Sequence, residues 1–168
     1  MNRTGRLARS GSGLRRKMWR MPDSRLHDAV RIYIYRQFIE TGHAIGAGDI
    51  ARALNCHAAE IEQALVDLAD AHTIVLAPGT RSIWMAHPFS AVPTPYTVHR
   101  GGISYWANCA WDALGIAAML QRDTECLCQC PDCNQRIDLS VNDGRVSSDA
   151  VVHFVVPPRR FWDNVAYT

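Results

Sequence analysis

Trp106-Ala107-Asn108-Cys109-Ala110-Trp111-Asp112-Ala113-Leu114 is the stretch on which the reading of this chain turns. It reads as helix and continues towards Leu120. A short strand at Tyr96–His99, a Gly101-Gly102 turn and a second strand near Ile103–Tyr105 precede it, and a cysteine-bearing strand follows. Strand, turn, strand, helix, strand is the order of a small mixed α/β unit. Residues three apart lie on one helical face, so the Cys109 thiol and the Asp112 carboxyl can meet the same small ligand. A soft nucleophile beside a proton donor suits capture of a soft metal with protonation of the group bonded to it. The plainer alternative is a buried small cysteine and a solvated aspartate. On these nine residues alone the plainer reading is the stronger.

Upstream, residues 24–89 read as a separate unit. Asp23 or Ser24 caps a helix with Leu26, Val30, Tyr33, Ile34 and Phe38 at helical spacing, ending near Thr41-Gly42. A second helix runs from Asp49 to Leu54 with Ile50, Ala53 and Leu54 inward, and a third from Ala58 to Ala69 with Ile61, Leu65 and Leu68 on one face. Thr73–Ala77 and Arg81–Met85 flank Pro78-Gly79-Thr80 as a hairpin. Three helices and a hairpin in this order make a winged helix-turn-helix. Its third helix carries Glu60, Glu62, Asp67 and Asp70 and no lysine or arginine, which repels phosphates. The unit therefore reads as a packing or protein-contact module, with a DNA-binding regulator as the weakest alternative. The Pro88, Pro93 and Pro95 segment after it reads as a stiff extended crossing.

Downstream, Cys126, Cys128, Cys130 and Cys133 fall within eight residues. Cys130-Pro131-Asp132-Cys133 has the spacing with which two sulfurs grip one metal, and Cys126 and Cys128 alternate on a strand so that both point one way. Four thiolates make a structural zinc site one reading, and a reduced surface turn with one or two buried thiols the other. Arg136–Val141 alternates as a strand, Asn142-Asp143-Gly144 is a hairpin turn, and Ala150–Val156 reads as a central strand stopped by Pro157-Pro158. A final helix is expected around Phe161 and Trp162.

Composition sets the limits. The 168 residues are 48% hydrophobic and carry a net charge of +2, enough for one ordinary domain or two small ones. Residues 1–23 hold seven basic side chains against Asp23, so this segment is +6 and the remainder is −4. It reads as a basic disordered tail, with Met18 or Met21 as alternative starts. No secretion signal or membrane span is legible, so the expected location is cytoplasmic; of the six cysteines, the cluster at 126–133 then points to metal binding, redox or catalysis rather than disulfides. The fold class expected is α+β: a winged-helix-like domain at 24–89, then a small mixed α/β catalytic-type domain at 90–168.

Taken together, these residues resemble the organomercurial (alkylmercury) lyases over most of residues 24–168. The resemblance rests on the helical module and proline-rich crossing, on Trp106–Asp112, on a cysteine-bearing turn followed by a strand, and on Val152-His153-Phe154. It implies protonolysis of a carbon–mercury bond, giving a hydrocarbon and mercuric ion. Cys109 then matches the first catalytic cysteine and Asp112 the catalytic aspartate. The implied partners are a small organomercurial substrate and a thiol or mercuric-ion acceptor, with neither membrane nor nucleic acid. No cofactor is required; mercury is substrate and product ion, and zinc at Cys126, Cys128, Cys130 and Cys133 would be structural.

One position departs from the family. Its second catalytic cysteine stands four residues before the histidine of the late strand, and here that residue is Asp149. A carboxylate is a poor ligand for mercury. Cys130 and Cys133 are the candidate second thiolates, with Asp149 as a substitute. The alternatives are slow action through Cys109 alone, or a metal- or thiol-ligand-binding relative without lyase activity. The family also continues beyond the late strand, so an edge of the domain is expected to be missing.

Overall fold

The computed structural model describes residues 24–165; the basic tail and Asp23 lie outside the described residues. Helix α1 (Ser24–Thr41) buries Val30, Ile34 and Phe38 completely, the face its spacing predicts. Its end is fixed by Gly42, whose φ is +77° and whose missing side chain leaves room for the Ser104 carbonyl. An added Cβ would collide with that backbone oxygen, so only glycine fits both the turn and the approach. Helix α2 (Ala47–Leu54) turns Ile50 and Ala51 inward, whereas the expected Ala53 is exposed. Helix α3 (Ala58–Asp70) buries Ile61, Ala64, Leu65 and Leu68, and Glu60 caps it by accepting the His57 N–H at 3.0 Å.

The hairpin β1 (Val75–Leu76) and β2 (Ile83–Ala86) forms around Gly79 at φ +71°. It does not stand apart as a wing. The crossing segment contributes a strand, β3 (Phe89–Ser90), that pairs with β2 on one side and β5 (Ile103–Ala107) on the other. One eight-stranded sheet results, ordered β1-β2-β3-β5-β4-β6-β7-β8, with β4 (Thr97–Arg100), β6 (Thr124–Gln129), β7 (Arg136–Asn142) and β8 (Arg145–Val146). Helix α4 (Ala110–Leu120) packs over β4, β5 and β6. The whole is α+β, helical first and sheet-rich after.

The core is continuous from the helices to the sheet. Phe89 is fully buried and stacks on Phe38 of α1, with ring centroids 5.1 Å apart and planes 8° from parallel. Tyr105, also fully buried, donates its hydroxyl to the Ile39 carbonyl at 2.9 Å. Burying large aromatic area while pairing the one polar atom gains the apolar transfer energy without a desolvation penalty.

Two expectations at the C-terminal end are corrected. Ala150–Val156 forms no strand. β8 is only two residues long, and the run finds no partner edge among the described residues; Val151 remains 89% exposed. A β-rich sequence without a ladder leaves its backbone groups to water. The final element is a 3-10 turn, Pro158–Asp163, rather than an α-helix.

Candidate active site

Cys109 is not inside the helix but is its N-cap, in extended conformation (φ −152°, ψ 179°), and Asp112 is the third helical residue. The expected i, i+3 proximity survives because the cap faces the first turn. The backbone N–H groups of Asp112 and Trp111 favour a charged sulfur without closing a side-chain cap hydrogen bond. They are outweighed. Burial, and then the negative charge of Asp112, push the Cys109 thiol above its ordinary value of 9. Both effects hold the proton on the sulfur, with Asp112 beside it.

Asn108, immediately before the cap, holds that carboxylate. Its side-chain amide nitrogen lies 3.1 Å from Asp112 Oδ2, 3.2 Å from the Pro88 carbonyl and 3.3 Å from the Phe89 carbonyl. Carbonyls only accept, so the nitrogen must face them, and this fixes the amide's orientation. Its Oδ1 is buried without a partner. His87 Nδ1 stands 3.6 Å from Asp112 Oδ2 and 3.3 Å from the Asn108 nitrogen. The Tyr35 hydroxyl of α1 donates to the His87 carbonyl at 2.9 Å, so the helical module braces this wall.

Sulfur and carboxylate open on a cavity of about 390 Å³ lined by His72, Met85, His87, Trp111, Phe161 and Trp162 among others. The Trp162 ring stacks on His72 at 4.2 Å and meets His87 edge-on at 5.7 Å. Trp111 meets Phe154 at 5.8 Å, and Phe154 meets Phe161 at 5.6 Å. These walls suit a small aryl or alkyl group. A larger hollow of about 640 Å³ beside Leu114, Gln121 and Val141 has no thiol in its wall.

Among the described residues lining the Cys109 cavity there is no second thiol, and neither Cys130, Cys133 nor Asp149 is one of them. Asp149 is exposed, as is His153. The four-sulfur cluster is not assembled either. Alternation along β6 turns Cys126 and Cys128 into the core with Thr124, while Cys130 and Cys133 follow in the turn beyond the strand, half-buried and exposed. Among the described residues no three metal-ligating side chains come together, so the donor set does not fit a structural zinc. The sequence reading missed Asn108, His87 and Trp162. Asn108 adjoins Cys109 in the opening stretch, but nothing in the sequence announces His87, which reaches the site through the β2–β3 turn.

Residues 89–168 match the family model described as MerB, alkylmercury lyase. No curated protein matches the chain. Among solved structures, one described as "Crystal structure of the mercury-bound form of MerB2" superposes with a TM-score of 0.59 at 20% identity, over 72% of this chain and 59% of that one. The chain thus spans about three fifths of that protein, and the likeness is one of fold. Over residues 89–168, the part containing Cys109 and Asp112, the chain is similar to the alkylmercury lyase family model.

Proposed function

We propose that the protein cleaves the carbon–mercury bond of small organomercurials, with Cys109 as mercury ligand and Asp112 as proton carrier. The observation that carries this reading is a half-buried thiol at a helix cap beside an oriented carboxylate, both facing an aromatic cavity. A substrate arrives as an alkyl- or arylmercury thiolate. The Cys109 sulfur bonds to mercury as its proton passes to Asp112. Sulfur donation weakens the carbon–mercury bond and builds negative charge on carbon. Asp112 then protonates that carbon, releasing the hydrocarbon and leaving mercuric ion held by Cys109 and the incoming thiolate. The proton that reaches carbon is the one that left Cys109, so the step balances with no oxidant and no second protein thiol.

Asn108 keeps the acceptor oxygen of Asp112 in place, and the aromatic walls exclude water from the developing carbanion. The N-terminal helical module serves as a brace: Tyr35 and Tyr105 tie α1 to the site-bearing sheet. Its Asp67 is engaged by His27 of α1 at 3.0 Å, which suits packing better than DNA reading. A reducing compartment such as the cytoplasm supplies the thiol that completes the mercury shell.

The test is benzene release from phenylmercury by purified protein under excess thiol. Release above the thiol-only control, lost in Cys109→Ser, is the expected result; none above control sinks the reading. The second reading, capture of organomercurials at Cys109 without cleavage, draws support from the single thiol in the cavity wall. It predicts stoichiometric phenylmercury binding and no benzene.

A further inference from the structure

The sheet register carries a second pair of sulfurs to the same end of the sheet as Cys109. Strand β4 lies between β5 and β6, and Thr97 faces Trp106 on one side and Leu127 on the other. Both neighbours run antiparallel to β4, so they run parallel to each other and finish together. Cys109 is three residues past Trp106, and Cys130 is three residues past Leu127. Two strand spacings separate these chains, roughly 10 Å. Tyr96, the residue before Thr97, sits between them: charges at Cys109, Cys128 and Cys130 all act on its hydroxyl.

The turn that carries Cys130 is built and closed. The Cys130 N–H donates to the Gln135 carbonyl at 2.9 Å, and the Asn134 N–H donates to the Cys130 carbonyl at 2.9 Å. Backbone N–H groups of Cys133 and Asp132, and the Cys133 thiol itself, are turned towards the Cys130 sulfur. Cys126 and Cys128 are sealed in the core, whereas Cys130 is half-buried and Cys133 exposed. Two accessible thiols held in one turn form a chelate for a soft, low-coordinate ion, and no further donors are needed.

We propose that the Cys130-Pro131-Asp132-Cys133 turn is a dithiol acceptor that takes mercuric ion from Cys109 and holds it at the surface against exchange with single external thiols. The source of the ion rests on the lyase reading; the site itself does not. In the transfer, the bonds from mercury to Cys109 and to the external thiolate break, and bonds to Cys130 and Cys133 form. Mercury stays divalent. The proton displaced from Cys133 returns to Cys109, and the proton displaced from Cys130 leaves on the external thiol. Because the second sulfur is attached to the first by three peptide bonds, it competes at a high effective concentration against free thiol.

The experiment loads the full-length reduced protein with one equivalent of mercuric chloride and challenges it with glutathione, reading retained mercury after gel filtration. Wild type and Cys109→Ser are expected to retain the ion. The double variant Cys130→Ser/Cys133→Ser, and Cys133→Ser alone, should need about 100-fold less glutathione to lose it. Circular dichroism confirms that the variants fold. Retention by the double variant equal to wild type overturns the proposal. So does loss from wild type, or loss from Cys109→Ser alone. If wild type shows this retention pattern but releases no benzene from phenylmercury, the lyase reading fails and the dithiol site stands.

Discussion

The Asn108 amide nitrogen lies 3.1 Å from Asp112 Oδ2 while also bridging to the Pro88 and Phe89 carbonyls, so one side chain ties the carboxylate to the strand that joins the two halves of the sheet. Asn108→Ala should act on both chemistry and stability. It frees the carboxylate and leaves two carbonyls without this donor, at a cost of about 1–3 kcal/mol in the fold. Benzene release should fall by about tenfold or more, the scale of one lost positioning contact. Urea denaturation and single-turnover kinetics on one preparation measure both. An unchanged rate would remove Asn108 from the mechanism.

The protonation of Cys109 gives a pH signature. Burial first, and Asp112 second, raise its thiol, so alkylation by iodoacetamide should still be accelerating above pH 9. Asp112→Asn removes the repulsive charge and should shift that profile to lower pH. A shift to higher pH would contradict the assigned repulsion.

Buried thiols also make stability depend on pH. Cys128 is raised from 9 to about 11, by burial first and then by Cys126 and Asp138. In that window the native state holds a proton that the unfolded chain has lost. Its contribution is therefore complete below pH 9 and lost as pH rises through about 11. Denaturation midpoints should fall between pH 8.5 and 11, and Cys128→Ala should show a shallower fall over the same range. Equal slopes in both proteins would count against it.

Two glycines separate strain from collision. Gly42 and Gly79 both have positive φ, but only at Gly42 does an added Cβ meet backbone, the Ser104 carbonyl. Gly79→Ala should cost about 1 kcal/mol of backbone strain. Gly42→Ala should cost clearly more, since α1 must lift from β5. Thermal melting of the pair decides the point, and equal losses would mean that the approach of α1 is not rigid.

Phe89→Ala tests whether the two halves share one core. Its ring is fully buried against Phe38, Tyr35 and Tyr105. The loss should be about 3–5 kcal/mol in a single cooperative transition. Two separated transitions would show that the helical module folds independently of the sheet.

Much of this molecule was legible in one dimension because it rests on local rules. Helical spacing placed Val30, Ile34 and Phe38, and Ile61, Leu65 and Leu68, inward. Glycine and asparagine chemistry placed the turns at Gly79, Gly101-Gly102 and Asp143-Gly144, and three-residue spacing paired Cys109 with Asp112. Tertiary structure decided what depends on partners distant in sequence. A strand forms only against an available edge, so Ala150–Val156 did not become one, while Phe89–Ser90, hidden in a proline-rich crossing, did. Alternation told which way Cys126 and Cys128 point relative to each other, but only the packing of α4 made that direction the core. His87 and Trp162 reached Asp112 and its cavity through chain reversals that no spacing encodes. That Cys109 and the Cys130 turn leave the same end of the sheet comes from strand order, since β4, earlier in the chain than both, lies between their strands.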